Sequence, residues 1–113
     1  MTNRTRGDYF ERQTRDALEA HGWVVVRAAG SLGPADLVAL RHGNTPLMVA
    51  CKVGVLRIDP HERLALIQTA YQAGARPLLA HRAVPGQVNL WTTHLGPQRA
   101  LVDTLPVPTR KRS

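Results

Sequence analysis

The sequence predicts one α/β domain in which helices flank a central mixed sheet of five strands. Short runs rich in β-branched and apolar residues, each bounded by glycine or proline, indicate the strands. Two longer segments with apolar residues at helical spacing indicate the helices. At 113 residues, with 43% hydrophobic and 20% charged residues, the chain has the size and composition of one ordinary globular domain. We expect the folded domain to span residues 1–94, followed by an extended arm and basic tail over residues 95–113.

The first half of the chain predicts one helix and three strands. The helix is capped by Asp8, runs to about His21 and ends at Gly22. Its buried stripe comprises Phe10, Thr14, Ala17, Leu18 and His21. Strands follow at residues 23–28, 36–41 and 47–53. The first is apolar enough to be covered on both faces, and the second and third form an antiparallel hairpin.

The second half begins with a strong helix start, in which Asp59 is the N-cap, Pro60 the first helical residue and Glu62 the capping-box partner. This helix runs to about Ala73. Its predicted inward residues are Leu64, Ile67, Ala70 and Tyr71. A right-handed crossover places a fourth strand, residues 76–81, parallel to the third. Residues 88–92 form a fifth strand at the sheet edge.

The charge of the chain indicates a polyanionic partner, because a net +7 with a pI near 11.1 is strongly basic. Of 15 lysines and arginines, only Lys52 and Lys111 are lysines. Arginine suits bidentate phosphate contacts, whereas lysine offers a compact, mobile point charge. The single cysteine, Cys51, excludes a disulfide framework. No apolar run is long enough to cross a membrane, so we expect a cytoplasmic protein of a bacterial, archaeal or phage-infected cell.

Two ions interrupt strands that are otherwise apolar. Asp36 opens the second strand and Lys52 lies late in the third, so the hairpin can bring them together. Since burying an unpaired charge costs several kcal/mol, roughly what a small domain has to spare, we interpret the two as facing each other at a site. The alternative is a structural ion pair at the end of the sheet. Glu11 lies on the flank of the first helix's buried stripe; on spacing alone, a solvent-exposed pair with Arg15 explains it equally well.

Four short segments with charged or small residues follow one another along these elements. They are Arg6-Gly7 with Glu11-Arg12, then Arg27-Ala28-Ala29-Gly30-Ser31, then Asp36-Leu37-Val38-Ala39-Leu40, then Cys51-Lys52. Over roughly residues 4–93 this order resembles the restriction-endonuclease-like fold of the PD-(D/E)xK nucleases, and within it the archaeal-type (Hjc-like) Holliday junction resolvases and their phage relatives. The resemblance implies that residues 1–94 are a nuclease-like domain.

The resemblance also implies roles for individual residues. Asp36 would ligate Mg²⁺, with Mn²⁺ as a substitute, and Glu11 and the backbone carbonyl of Cys51 would add ligands. Lys52 would orient the attacking water or stabilise charge on the scissile phosphate. Ser31 would lie on a mobile loop near that phosphate. The residues implied to contact the DNA backbone are Arg4, Arg6, Arg12, Arg27 and Arg57.

One position departs from the family pattern. The family has Glu, or Gln in some phage relatives, two residues before the lysine, and this chain has Ala50 there. Three explanations stay open: an inactivated variant, a natural DNA binder that has lost cleavage, or an acid moved to the second helix. Glu62 and Gln68 are the candidates for a moved acid. The third explanation is the least favoured, because the capping box already explains Glu62.

We therefore expect a homodimeric, Mg²⁺-dependent endonuclease that binds four-way DNA junctions and nicks two strands symmetrically. The apolar residues of the arm that could contribute to the dimer interface are Leu101, Val102, Leu105 and Val107. The alternatives are a general PD-(D/E)xK endonuclease acting on duplex DNA and a non-catalytic basic DNA-binding module on the same fold. An RNA- or ribosome-associated protein is disfavoured because it gives Asp36 and Lys52 no role.

Overall fold

The computed structural model describes residues 3–93 and 99–109, with side chains from residue 6 onward. In chain order its elements are α1 (Asn3–Ala20), β1 (Val24–Arg27), β2 (Leu37–Leu40), β3 (Leu47–Lys52), α2 (Pro60–Ala73), β4 (Arg76–His81), β5 (Gln87–Thr92) and β6 (Leu101–Pro106). The strands form one sheet in the order β1-β2-β3-β4-β5-β6. Only β3 and β4 pair in parallel, and the other neighbours are antiparallel. The predicted mixed α/β architecture is confirmed.

The sheet has six strands in the described residues, where five were predicted. The sixth, β6, lies in the segment expected to be an arm, and it pairs with β5 so that Val88 lies opposite Leu105. Leu105 is buried in the core, which accounts for the pairing. Pro106 is tolerated because β6 is the outermost strand. Consequently β5 is an internal strand and not the edge. Residues 94–98 and the basic tail from residue 110 lie outside the described residues, and the boundary at residue 94 stays a prediction.

The first strand is less covered than predicted. It occupies one edge of the sheet, and Val24 is 65% exposed and Val26 is also exposed. In the described part of the chain, α1 packs on one face of β1, while α2 packs mainly on β3 and β4. The expectation that this strand is covered on both faces is therefore wrong.

Helix α1 begins at Asn3, earlier than the predicted cap at Asp8, and its end agrees with the prediction. Gly22 adopts a left-handed φ of 87° and Trp23 donates its amide to the carbonyl of Leu18, which closes the last turn. The predicted stripe is buried except at its last member. His21 is exposed because it lies beyond the last helical residue, and its Nδ1 is 2.8 Å from the carbonyl oxygen of Ala17.

Each face of the sheet carries its own apolar cluster. The α1-side cluster contains Phe10, Ala17, Leu18, Leu37, Ala39, Leu47, Val49, Leu78, Ala80, Val88, Leu90 and Leu105. The α2-side cluster contains Ala35, Met48, Ala50, Ile58, Leu66, Ala70 and Leu79. Because side chains alternate along a strand, Met48 and Ala50 on the α2 side place Lys52 on that side as well. Cys51 packs against the α1-side cluster.

Helix α2 presents only part of the predicted face to the sheet. Ala70 is buried as predicted and Ile67 is half-buried, whereas Leu64 is exposed and Tyr71 is 87% exposed. Leu66, which was not predicted to face inward, is fully buried. A helix that packs mainly on two strands buries only a narrow row at i, i+4 spacing, which here is Leu66 and Ala70. Glu62 lies one turn earlier on the same row, and its side chain is 49% exposed. The rotation brings Glu62 onto the row that faces the sheet. In the described ranges no helix combines the length and apolar character needed to span a membrane.

Candidate active site

Asp36 is fixed between three strands by its backbone. Its amide donates to the carbonyl of Val49 at 2.8 Å, and its own carbonyl accepts from the amide of Ala28 at 2.9 Å. Its carboxylate Oδ2 accepts the backbone N–H of Cys51 at 2.7 Å. The side chain is therefore held against the last residues of β3, beside the peptide whose carbonyl was expected to be a metal ligand.

The Asp36 carboxylate, beside the end of β3, is subject to the charges of three other side chains, and we name Glu11, Asp36, Lys52 and Glu62 the charged edge. Burial is the largest influence on Asp36 and raises the pKa of its carboxyl above the usual 3.8, while the hydrogen bond from the Cys51 amide opposes that rise. The charge of Glu11 raises the same pKa, that of Lys52 lowers it and that of Glu62 raises it. Contacts bring the same residues together: Asp36 binds the amide of Cys51, the residue before Lys52, and Leu37, the residue after Asp36, lines a cleft with Glu11.

Glu11 reaches this edge from α1. Its Oε1 accepts a hydrogen bond from Arg27 Nε at 2.7 Å, and its side chain is 16% exposed. Arg15 pairs instead with Asp16 and Glu19, at 3.8 and 3.7 Å. The alternative of a solvent-exposed pair between Glu11 and Arg15 is therefore wrong, and Glu11 is held at the end of β1.

Lys52 forms its ion pair with the second helix. The distance from its Nζ to Oε2 of Glu62 is 2.9 Å, with the two side chains 24% and 49% exposed. Among the described residues, Asp36 and Lys52 share no ion pair of their own. The direct pair considered as the alternative is thus not formed, and the two charges do not face each other as interpreted from the sequence, because Asp36 binds the Cys51 amide and Lys52 binds Glu62. Glu62, assigned from the sequence to a capping box, directs its carboxylate to Lys52.

Ala50 occupies the position where the family pattern has an acid. Its methyl group is fully buried in the α2-side cluster with Ile58 and Leu66. A carboxylate here would enter an apolar environment and lose its hydration. The packing between β3 and α2 therefore fits alanine at position 50 better than it fits an acid.

The donor groups do not fit a preformed Mg²⁺ centre. Within residues 3–93 and 99–109, no three His, Cys, Asp or Glu side chains form a group that could hold a metal ion. Glu11 is paired with Arg27, and Glu62 is paired with Lys52. A Mg²⁺ ion prefers several oxygen ligands in octahedral geometry, and Asp36 is the one acid of the charged edge without an ion pair.

Ser31 lies in the turn that connects β1 to Asp36, at the same end of the sheet as the charged edge. Its hydroxyl donates to the carbonyl of Ala28 within its own turn. Ala29 and Gly30 adopt left-handed φ angles of 51° and 83°, which reverse the chain here. Its implied contact with a phosphate stays a prediction.

Exposed arginines surround the charged edge. Arg12 and Arg27 line a cleft of about 370 Å³ with Glu11. Arg6 lines a second cleft with Gly54, two residues after Lys52, and Arg82. Arg57 is exposed between β3 and α2. The side chain of Arg4 lies outside the described residues.

Arg82 was missed in the sequence analysis, although the sequence holds a signal for it. It directly follows β4, and the parallel register places His81 beside Lys52. Residues that follow two neighbouring parallel strands meet at the same edge of a sheet. His81 Nε2 also contacts the carbonyl of Gly54, which ties the turn after Lys52 to β4.

A mixed sheet with an acid before its second strand, a lysine ending its third and an acid on its first helix defines a nuclease-like domain of the PD-(D/E)xK class. Residues 2–98 match the archaeal Holliday junction resolvase (Hjc) family, and the chain belongs to that family. It is similar to the crossover junction endodeoxyribonuclease Hjc of Methanocaldococcus jannaschii, with 36% identity over 78 residues. That match covers 66% of this chain and 57% of the relative's length.

The fold is also similar to a solved structure of the family. The Holliday junction resolvase Hjc of the archaeal hyperthermophile Archaeoglobus fulgidus matches with a TM-score of 0.65 and 26% identity. The match covers 73% of this chain and 72% of that chain. The restriction-endonuclease-like fold implied by the sequence agrees with this similarity.

Proposed function

We propose that this chain is a structure-selective endonuclease that binds four-way DNA junctions in the cytoplasm and nicks them symmetrically. The observation that carries the proposal is the convergence of Glu11, Asp36 and Lys52 on one edge of the sheet, between exposed arginines. A basic surface with paired acid and ammonium groups suits hydrolysis of a phosphodiester. Family membership supports the same substrate class.

The residues of the charged edge and the arginines beside it have different roles in the proposed hydrolysis. Asp36 commits Oδ2 to the Cys51 amide, which leaves Oδ1 to orient an attacking water. Lys52 supplies a compact positive charge for the scissile phosphate. Arg12 and Arg27, at the cleft beside Glu11, hold the DNA backbone by charge-assisted hydrogen bonds. Selectivity for a junction then comes from the spacing of phosphates and not from base contacts.

Symmetric nicking calls for two active sites related by a dyad, and we propose a homodimer. The expected arm residues support this only in part, because Leu105 is buried and Val107 packs against the core. Leu101 and Val102 are exposed on β6. A second apolar surface is the uncovered face of β1 and β2, at Val24, Val26 and Leu40. An apolar surface of this kind favours contact with a second copy.

A gel-shift and cleavage assay tests the proposal. A labelled four-way junction and a linear duplex of equal length are each incubated with the protein, with Mg²⁺, with Mn²⁺ or with a chelator. We expect tighter binding of the junction in all conditions. We expect paired nicks only with a divalent cation, whose remaining ligands would be phosphate oxygens of the bound DNA and water, because the described part of the chain alone offers no preformed centre. Equal affinity for the two substrates contradicts junction selectivity and favours a general duplex endonuclease.

A second candidate is a junction binder without cleavage, and Ala50 is the observation that favours it. Ala50→Glu returns an acid to the family position, and Ala50→Met is its matched control, because Met has similar length without the charge. Both changes crowd a fully buried site, so thermal unfolding must accompany the assay. Cleavage gained by A50E alone indicates an inactivated enzyme. Junction binding without nicks in the folded A50E protein supports the binder.

A further inference from the structure

Glu62 lies on the row of α2 that faces the sheet. Leu66 and Ala70 follow it at intervals of four residues, and both are fully buried against the sheet. Residues four apart lie on the same face of a helix. Glu62 therefore continues a packed row past the end of the apolar cluster, to the point where β3 ends at Lys52.

The backbone around Glu62 is fixed by a well-formed helix start. Asp59 accepts the amide of His61 on its side chain and the amide of Arg63 on its carbonyl, both at 2.8 Å. Pro60 restricts the first helical residue. The Glu62 carboxylate thus projects from a rigid turn and not from a loose surface loop.

The backbone around Lys52 is fixed in the same way. Lys52 ends β3 between Asp36, whose carboxylate binds the preceding amide, and His81, its partner in β4. Both partners of the 2.9 Å ion pair therefore project from ordered elements.

We propose that Glu62 is a positioning residue for Lys52: from α2 it holds the ammonium at the charged edge, on the side of the sheet where β3 carries Ala50 in place of an acid. The proposal deepens the proposed function and rests on it. Lys52 and Ala50 share the α2 side of β3, so position 50 has no carboxylate for the ammonium. The helix supplies one. Without Glu62 the four-carbon stem of Lys52 samples many rotamers, and fewer of them meet the scissile phosphate.

The test compares Glu62→Gln, Glu62→Asp and a matched control, Glu19→Gln. Glu19 is also a half-exposed glutamate in an ion pair, with Arg15 on α1, so it loses the same charge outside the site. Single-turnover nicking of a labelled junction and the junction Kd are measured for each. We expect E62Q to lower the nicking rate by roughly tenfold to a hundredfold, as mispositioned groups do. Its Kd stays equal or tightens, E62D recovers part of the rate, and E19Q changes neither quantity.

A second readout follows Lys52 directly, because the chain has only two lysines, Lys52 and Lys111. With ¹⁵N-labelled lysine, and Lys111→Arg to assign the signals, relaxation of the Lys52 ammonium in the junction complex reports its order. Order in the unmodified protein that is lost in E62Q and kept in E19Q supports the proposal.

Three results are distinguishable. Nicking by E62Q at the unmodified rate overturns the proposal, and so does faster nicking, which would mean that Glu62 restrains Lys52 from acting. If the unmodified protein binds junctions without nicking them, the catalytic part of the proposed function fails. In that case unchanged Lys52 order in E62Q overturns the positioning role, and loss of order supports it.

Discussion

The two helices cover opposite faces of one sheet, and they were predicted with unequal success. Helix α1 packs across the sheet from β1 to β6, and its buried stripe agrees with the sequence pattern at Phe10, Thr14, Ala17 and Leu18. Helix α2 packs mainly on β3 and β4, and its buried row is rotated from the predicted one. Apolar spacing specifies a helix face when the surface beneath is wide enough to cover every apolar residue. Where the surface is narrow, the contact geometry decides, and in α2 it turns Glu62 toward Lys52.

The largest expected effect on stability comes from the buried rows of both helices. Leu18 of α1 and Leu66 of α2 are each fully buried. Replacing either by alanine removes transfer energy and leaves a cavity, so we expect each to lower the free energy of unfolding by about 3 kcal/mol. Urea unfolding of the two variants measures this. If L66A lowers the free energy of unfolding only slightly while L18A lowers it strongly, Leu66 is not packed against the sheet, and the orientation of α2 that turns Glu62 toward Lys52 is wrong.

An intermediate effect is expected at Asp36, which lies between the two faces. Burial raises the pKa of this carboxyl above its usual 3.8, so the native state holds the proton more tightly than the unfolded chain does. Ionisation of Asp36 therefore lowers the stability of the native state. At a pH well below 3.8 the carboxyl is protonated in both states and the loss is absent; as the pH rises the loss grows until the native carboxyl is also ionised. Asp36→Asn removes the loss, and its amide oxygen can still accept the Cys51 amide.

We expect D36N and the unmodified protein to differ least in unfolding free energy at acid pH, and D36N to be the more stable at pH 7. Unfolding curves across this pH range measure the difference. The quantity that decides is the unfolding free energy of D36N minus that of the unmodified protein. If this difference is smaller at neutral pH than at acid pH, the result contradicts a desolvated carboxyl at this site.

The smallest effect is expected on the outer face of α2. Leu64 and Tyr71, predicted from spacing to be buried, are exposed. Leu64→Ala and Tyr71→Ser should each change the free energy of unfolding by about 0.5 kcal/mol or less. The same urea experiment measures them beside L66A. If either variant lowers the free energy of unfolding as much as L66A does, the buried face of α2 is the predicted one after all.

Most of the fold followed from local signals in the sequence. The hairpin of β2 and β3, the helix start at Asp59 and the parallel placement of β4 each depend on turn chemistry or chain direction. The sixth strand did not follow, because a short segment with prolines becomes a strand only when β5 offers it an edge. The exposure of β1 likewise depends on how far α2 reaches, which no local pattern encodes.

The candidate site was predictable where an ion interrupts an apolar strand. Asp36 and Lys52 stood out for that reason, and Glu11 stood out on the flank of a buried stripe. The partners could not be predicted in the same way. Glu62 satisfied a capping motif that explained it without Lys52, and the orientation of α2 decides between the two. The pairing of Glu11 with Arg27 depends on the end of β1 lying beside α1.

The central claim is that an acid and an ammonium from neighbouring strands act together on a DNA phosphate. Its most direct test measures binding and nicking of a labelled four-way junction by the unmodified protein, Asp36→Asn and Lys52→Ala, with a divalent cation present. We expect that all three proteins bind the junction and that only the unmodified protein nicks it. Nicking by both variants at the unmodified rate would contradict a joint action of Asp36 and Lys52.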